Sequence, residues 1–264
     1  MPLRVTLLGT GGSAGVPLIG GADGRGDWGA CDPAEPRNRR TRSSIVVEQA
    51  GRALLVDTSP DMRTQLLDNA VARIDAVLYT HSHADHVTGI DDVRILNRIA
   101  DRPLQAFANQ ATLAELQSRF NYAFRPWKPP GFFRPVLLPC EITPGDTTEI
   151  VGMRVRTFDQ EHGFSRTLGL RIGQFGYSTD AVTLDDAAFA ALEGIDTWVV
   201  GCFQRTPHPT HAWLNRIHEW VVRLHPRRTV LTHMGSDMDW AWLTHNLPAG
   251  VEPGHDRQVL EIEA

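Results

Sequence analysis

The sequence predicts an α/β fold, with mixed strands and helices arranged as sheet layers sandwiched by helices in one domain over residues 1–264. Short apolar runs rich in Val, Leu and Ile recur along the chain: RVTLLG, SIVVEQ, RALLVD, DAVLYT, MRVRTF, LGLRI, TWVVG and RTVLTH. Several are nearly continuous, as expected of strands covered on both faces. Helical patterns separate them, at 60–69, 91–99, 110–120, 184–192 and 213–224. The 264 residues are 42% hydrophobic and 22% charged, without repeats or a composition break, and a chain of that length can bury one large core.

In chain order, RVTLLG opens as a strand and runs into a long loop, 9–42, rich in Gly, Pro and Arg. Its GTGGSAG segment lacks the Lys-Ser/Thr ending of a P-loop and is read as tight backbone packing. SIVVEQ and RALLVD follow as strands. Ser59 and Pro60 suit the N-cap and first turn of the helix at 60–69. DAVLYT is a buried strand leading directly into HSHADH at 81–86. After two more helices, AFRPWKPPGFFRP at 123–135 mixes prolines with aromatics, and so long a loop is expected to be functional or disordered. MRVRTF, LGLRI, FGYS, TWVVG and RTVLTH complete the strands, interleaved with the last two helices.

A formal net charge of −5 argues against a generic nucleic-acid or membrane-surface binder. The start, MPLRVTLLGT, has no leader pattern, and no apolar run is long enough to span a bilayer. Cys31, Cys140 and Cys202 are odd in number and widely spaced, so no disulfide framework is expected and a cytoplasmic location follows.

Chemistry concentrates where strands end. HSHADH sits on a strand-to-helix turn, where side chains converge, and imidazole and carboxylate are the usual ligands of Zn²⁺ and similar ions. The same placement recurs: Asp57 follows RALLV, His162 lies beyond MRVRTF, Asp180 beyond FGYS, and His233 follows RTVLT. Any one of these reads as a surface or turn residue. Together with the dense cluster they point to a metal site, since open sheets place active sites at strand ends.

The order HSHADH, His162, Asp180, His233 resembles the metallo-β-lactamase superfamily, over essentially the whole chain. That resemblance implies an αβ/βα four-layer sandwich of two mixed sheets flanked by helices. It also implies that His81, His83 and His162 hold one ion, that Asp85, His86 and His233 hold a second, and that Asp180 bridges both. Asp57 would orient a ligand imidazole. The opening LLGTGGSAGVP resembles a narrower group, the cyclic phosphodiesterases related to phosphoribosyl 1,2-cyclic phosphate phosphodiesterase. Asp180 stands where β-lactamases of this fold carry a cysteine ligand, and His83 where oxygen-reducing di-iron relatives carry Glu. The related tRNA 3′-processing endonucleases insert a substrate-gripping arm between the equivalents of His162 and Asp180. Here only GFSRTLGLRIGQFGYST joins them, which turns the expectation from nucleic acid to a small-molecule phosphodiester.

The group can carry a structural zinc on three loop cysteines and a histidine. This chain offers only Cys31 and has Ser236 at the histidine position, so no structural zinc is expected. His211, ahead of the helix at 213–224, matches the family's extra catalytic histidine, with His208 as the alternative. In RNRRTR at 37–42, Arg39 and Arg40 are candidates for the substrate phosphate, against a solvated loop paired with acids. His218, His225, His245 and His255 read as ordinary helix or surface residues.

Two divalent ions bring about +4, and Asp85, Asp180 and a bridging hydroxide return about −3, a cationic balance suited to a diester monoanion. The expected function is therefore a dinuclear phosphodiesterase, using Zn²⁺ or Mn²⁺, in which a metal-bound hydroxide attacks phosphorus. Asp85 would orient or deprotonate the water, and protonated His211 would stabilise a phosphoryl or leaving oxygen. The competing readings are a thioester or lactone hydrolase, an RNA 3′-end nuclease, and a metal-binding scaffold without activity. The resemblance also implies a homodimer.

Overall fold

Side-chain alternation along the strands builds the molecule. The computed structural model describes residues 2–263. In β3 (Arg52–Val56), Leu54 and Val56 point to one core, while Ala53 and Leu55 point to another. A strand with two buried faces has no polar positions to spare, which explains the unbroken apolar runs.

The first sheet has the order β14-β1-β2-β3-β4-β5-β6. It comprises β1 (Leu3–Gly9), β2 (Ser44–Gln49), β3, β4 (Ala76–Leu78), β5 (Leu104–Ala108) and β6 (Leu137–Glu141), closed by β14 (Val259–Ile262). The second has the order β13-β12-β11-β10-β9-β8-β7. Its strands are β7 (Thr147–Ile150), β8 (Met153–His162), β9 (Ser165–Ile172), β10 (Phe175–Ser178), β11 (Thr197–Gly201), β12 (Arg228–Thr232) and β13 (Val251–Pro253). Both are mixed: β3 to β6 and β10 to β13 run parallel, and the remaining pairs are antiparallel.

The sheets face each other across one core, in which Val5, Leu54 and Leu78 meet Val155, Tyr177 and Val230. The outer face of the first sheet is covered by α1 (Met62–Asp68), the short α2 (Ala84–Val87), α3 (Val93–Ala100) and α4 (Gln110–Arg119). The outer face of the second is covered by α5 (Asp186–Leu192), α6 (Leu214–Leu224) and α7 (Trp240–Asn246). The result is the expected four-layer αβ/βα sandwich of two mixed sheets. No helix among the described residues is long and apolar enough to cross a membrane.

Several local expectations need correction. Helix α1 begins at Met62 and not at Pro60. The Ser59 carbonyl accepts the Met62 N–H at 3.0 Å and its hydroxyl accepts the Asp61 N–H, so the chain turns once before the helix starts. Helix α5 starts later than 184, because Asp185 caps it by accepting the Ala188 N–H at 2.8 Å. Helix α7, at Trp240–Asn246, lies outside the helical patterns read from the sequence and is capped by Asp239, which accepts the Trp242 N–H at 3.0 Å.

No residue of the 123–135 loop lines the cavity that carries His83 and His162. Trp127 stacks on the buried Phe132 at 4.3 Å, and Arg134 donates to the carbonyls of Tyr122, Arg125 and Pro126. It folds on itself as a compact surface loop.

Candidate metal centre

Nearly every polar residue anticipated for the site lies at a strand end on one rim of the sandwich. Asp57 follows β3, His162 ends β8, Asp180 lies two residues past β10, and His233 follows β12. His81 to His86 occupy the turn from β4 into α2. Asp57, Asp180 and His233 adopt left-handed backbone, at φ 65°, 51° and 54°. Such conformations cost about 1–3 kcal/mol for a residue with a side chain and collect at functional sites. Here they swing each side chain off the end of its strand toward the shared centre.

The side chains assemble into two adjoining clusters. His81, His83 and His162 form the first; Asp85, His86, Asp180 and His233 form the second; a further group of candidate ligands, His162, Asp180 and His211, overlaps both. Within each, one ligand-capable atom per residue lies within 4.8 Å of all the others. That is close to the span one ion bridges with ligands at about 2.0–2.2 Å. Asp180 joins the two: its Oδ2 lies 3.2 Å from His86 Nε2, while its Oδ1 lies 3.2 Å from His233 Nε2 and 3.8 Å from His162 Nε2.

Hydrogen bonds fix which nitrogen faces the centre in three of the rings. His86 Nδ1 lies 2.7 Å from Asp57 Oδ2, so Nδ1 carries the proton and Nε2 turns inward. Asp57 is fully buried and also accepts the Thr80 N–H and the Thr80 hydroxyl, each at 2.8 Å. His162 Nδ1 lies 2.7 Å from the Thr210 carbonyl, which can only accept, so its Nε2 lone pair is free. His81 Nδ1 meets the Thr80 hydroxyl at 3.0 Å.

The inward atoms are left without partners. His81 Nε2, His86 Nε2 and both ring nitrogens of His233 are buried and make no hydrogen bond. Orphaned polar atoms at this depth are costly, and several pointing at one centre call for an ion. The donor set fits a divalent metal, and the cluster is able to bind one.

Electrostatics differ around the site. Burial, reinforced by the neighbouring histidines, holds the pKa of His81 well below the ordinary value and that of His83 below it. At His86 burial works the same way, but the carboxylates of Asp180 and Asp57 outweigh it and raise the pKa well above the ordinary value. Burial opposes ionisation of Asp85 and Asp180 as well. The close approach of His233 and His86, 3.6 and 3.3 Å from Asp85 Oδ2, nevertheless holds Asp85 low, and the charges of the same two histidines hold Asp180 well below the usual range.

His211 stacks on His233 at 4.9 Å, and its Nδ1 lies 3.7 Å from Asp180 Oδ1. Burial first, then His233, pushes its pKa down to about 3. The charged form anticipated from sequence is therefore absent before a substrate anion arrives. His208 stands behind it, accepting the Thr210 N–H at 3.3 Å.

The arginine expectation fails on geometry. Arg40 is 2% exposed, donates to the Met238 carbonyl at 2.7 Å and lies 3.8 Å from Cys31 Sγ. Arg39 lies over the Trp28 ring at 4.9 Å, on the wall of a different cavity. Arg42 instead pairs with Asp61 at 3.0 Å and, with Ser13, Ile19 and Pro60, lines a neighbouring cavity that touches Asp85. Around Cys31, Ser236 contributes its carbonyl to the Ala30 N–H at 2.8 Å, and the Arg40 guanidinium fills the space between the loop and Met238.

The GTGGSAG segment packs as its sequence suggests. A Cβ at Gly9 would lie 2.2 Å from the Arg42 carbonyl, and one at Gly12 would lie 2.8 Å from the Phe203 ring and 3.6 Å from His233. Thr80 and the Thr210 carbonyl had escaped sequence reading. The first is a common residue beside a louder one, and the second acts through backbone alone.

The cavity over both clusters measures about 410 Å³ and is lined by Ser13, His83, Asp85, His162, Phe164, Asp180 and His211, among others. Residues 52–234 match the family model for the beta-lactamase superfamily domain. A solved diphosphatase from the PhnP family is 33% identical, with a TM-score of 0.89, covering 99% of this chain and 98% of that one. An octanoyltransferase from Porphyromonas gingivalis is 32% identical over 237 residues, which is 88% of this chain and 46% of that protein. A ribonuclease Z from Methanopyrus kandleri is 26% identical over 136 residues, 49% of this chain and 43% of that protein. The chain thus spans about half the length of the curated relatives it matches.

Proposed function

Because the chain belongs to the beta-lactamase superfamily, we propose that it is a dinuclear metal-dependent hydrolase whose substrate is a small linear or cyclic phosphodiester. The observation that carries this reading is the pair of clusters joined by Asp180, with inward imidazole nitrogens that have no other partner. His81, His83 and His162 would hold one ion; Asp85, His86 and His233 the other; Asp180 would touch both. An imidazole-rich set of this kind suits Zn²⁺, with Mn²⁺ as the alternative. When bound, two divalent ions supply Lewis-acid charge and bring the pKa of water to near 7. With only Asp85 and Asp180 to offset about +4, the centre stays cationic, which favours an anionic diester over a neutral ester or thioester.

Asp85, held ionised, accepts a hydrogen bond from the attacking water and aims it. His211, neutral in the free protein, offers an N–H to a phosphoryl or leaving oxygen. It takes up full charge only when the phosphate anion counters its neighbours. Asp57 keeps His86 turned inward and in the right tautomer.

The rim supports a small substrate. His162 and Ser165 pair across a two-residue turn, so no arm rises between β8 and β9 to grip a long nucleic acid, and the cavity of about 410 Å³ suits a small molecule. The names diphosphatase and octanoyltransferase belong to the relatives that carry them, the second to a protein about twice the matched length.

The test is turnover of bis-p-nitrophenyl phosphate by protein loaded with Zn²⁺ or Mn²⁺. The expected result is hydrolysis that chelation abolishes and either ion restores. No diester turnover, with p-nitrophenyl thioester or lactone hydrolysis instead, would replace this reading with the acyl one.

A further inference from the structure

Phe164 is 102% exposed, although a phenylalanine ordinarily gains most by burial. It occupies the two-residue turn between β8 and β9, two residues beyond His162 and directly after the glycine at 163. Gly163 adopts φ +68° and is the first central residue of the turn, the arrangement of a type II′ hairpin. A Cβ there would lie 2.5 Å from the Thr210 side chain, and the Thr210 carbonyl is the group that fixes His162. The turn therefore packs closely against Thr210, and Phe164 lines the cavity that holds His83, Asp85 and His211.

From this placement we infer that Phe164 determines specificity. Its ring is the platform on which a planar, unsaturated group of the substrate lies, a nucleobase or an aryl ring on one ester arm. The inference rests on the phosphodiesterase reading for the position of phosphorus over the two clusters. An aromatic face beside a phosphate site favours a flat partner through stacking and apolar contact, and an alkyl arm gains much less. Phe133 provides the contrast: it is 82% exposed but belongs to the 123–135 loop and does not line this cavity.

The experiment is calorimetric binding of thymidine 5′-monophosphate, phenyl phosphate and methyl phosphate to the metal-loaded chain and its variants. Wild type should bind at least one ring-bearing ester about tenfold more tightly than methyl phosphate. Preference for the nucleotide alone identifies a nucleobase, and preference extending to phenyl phosphate identifies any aryl ring. Phe164→Ala should erase the preference while leaving metal content and methyl phosphate affinity unchanged. Phe164→Tyr should keep it, and Phe133→Ala should match wild type. A preference that survives Phe164→Ala, or that wild type never shows, overturns the inference. So does a shift in sedimentation of Phe164→Ala with binding unaltered, which would make the ring an interface residue. Failure of wild type to bind all three esters would instead sink the phosphodiesterase reading beneath it.

Discussion

The two clusters stand side by side yet are built on opposite principles. The first set, His81, His83 and His162, contains no carboxylate, and burial holds the pKa of His81 and His83 below the ordinary value. The second cluster places two ionised carboxylates against His86 and His233, and Asp180, together with Asp57 on the other side of the ring, keeps a proton on His86. In the first, His81 and His83 need lose nothing to accept a cation. The second must exchange a proton for the ion, but returns more negative charge to it. Asp180 couples the two, so neither is independent of the other.

The heaviest blow to this arrangement is Asp180→Asn. Asparagine tolerates the left-handed backbone at this position, so the change removes charge and leaves the turn intact. Metal analysis should find at most one ion per chain, and diester turnover should fall by more than the roughly 10²-fold expected of a supporting residue. Next in size is His211→Ala. Both ions should remain while turnover of an alkyl-leaving-group diester drops about 10²–10⁴-fold, with a smaller drop for p-nitrophenyl leaving groups that need no proton. Loss of an ion in this variant would make His211 a ligand.

Asp57→Asn should act mainly on one cluster. Asp57 touches His86 and Thr80, so affinity at the second cluster should weaken about 10–100-fold while the first is changed least. The smallest effect is the most discriminating. His86 is raised well above the ordinary histidine value, so near pH 7 it carries a proton that the incoming ion must displace. Affinity at the second cluster should therefore rise with pH through neutrality. At the first, His81 and His83 are already neutral there, and their part in binding should stay flat until pH falls well below about 6.5. Calorimetric titration in buffers of different ionisation enthalpy counts the protons released in each phase. Equal release in both would break the contrast.

The legible part of this site was what sits near in sequence or ends a strand. His81 to His86 declare themselves by density, and Asp57, His162, Asp180 and His233 by following apolar strands whose two buried faces make them easy to see. The sandwich itself was legible for the same reason. What stayed hidden depends on direction. Arg39 and Arg40 looked equivalent to Arg42, yet Arg40 is buried against the Met238 carbonyl and Arg42 pairs with Asp61 beside a cavity that touches Asp85. Phe164 resembled any hairpin aromatic until its turn was placed beside the cavity. The Thr210 carbonyl, a backbone group, leaves no trace in residue identity.

The central claim is that two ions occupy these two clusters with Asp180 between them. Anomalous diffraction at the zinc edge, from crystals of chain reconstituted with Zn²⁺, tests it most directly. The account predicts two anomalous peaks per chain, one among His81, His83 and His162 and one among Asp85, His86 and His233, both within bonding distance of Asp180. One peak or none at saturating Zn²⁺, or a peak that excludes Asp180, would contradict it.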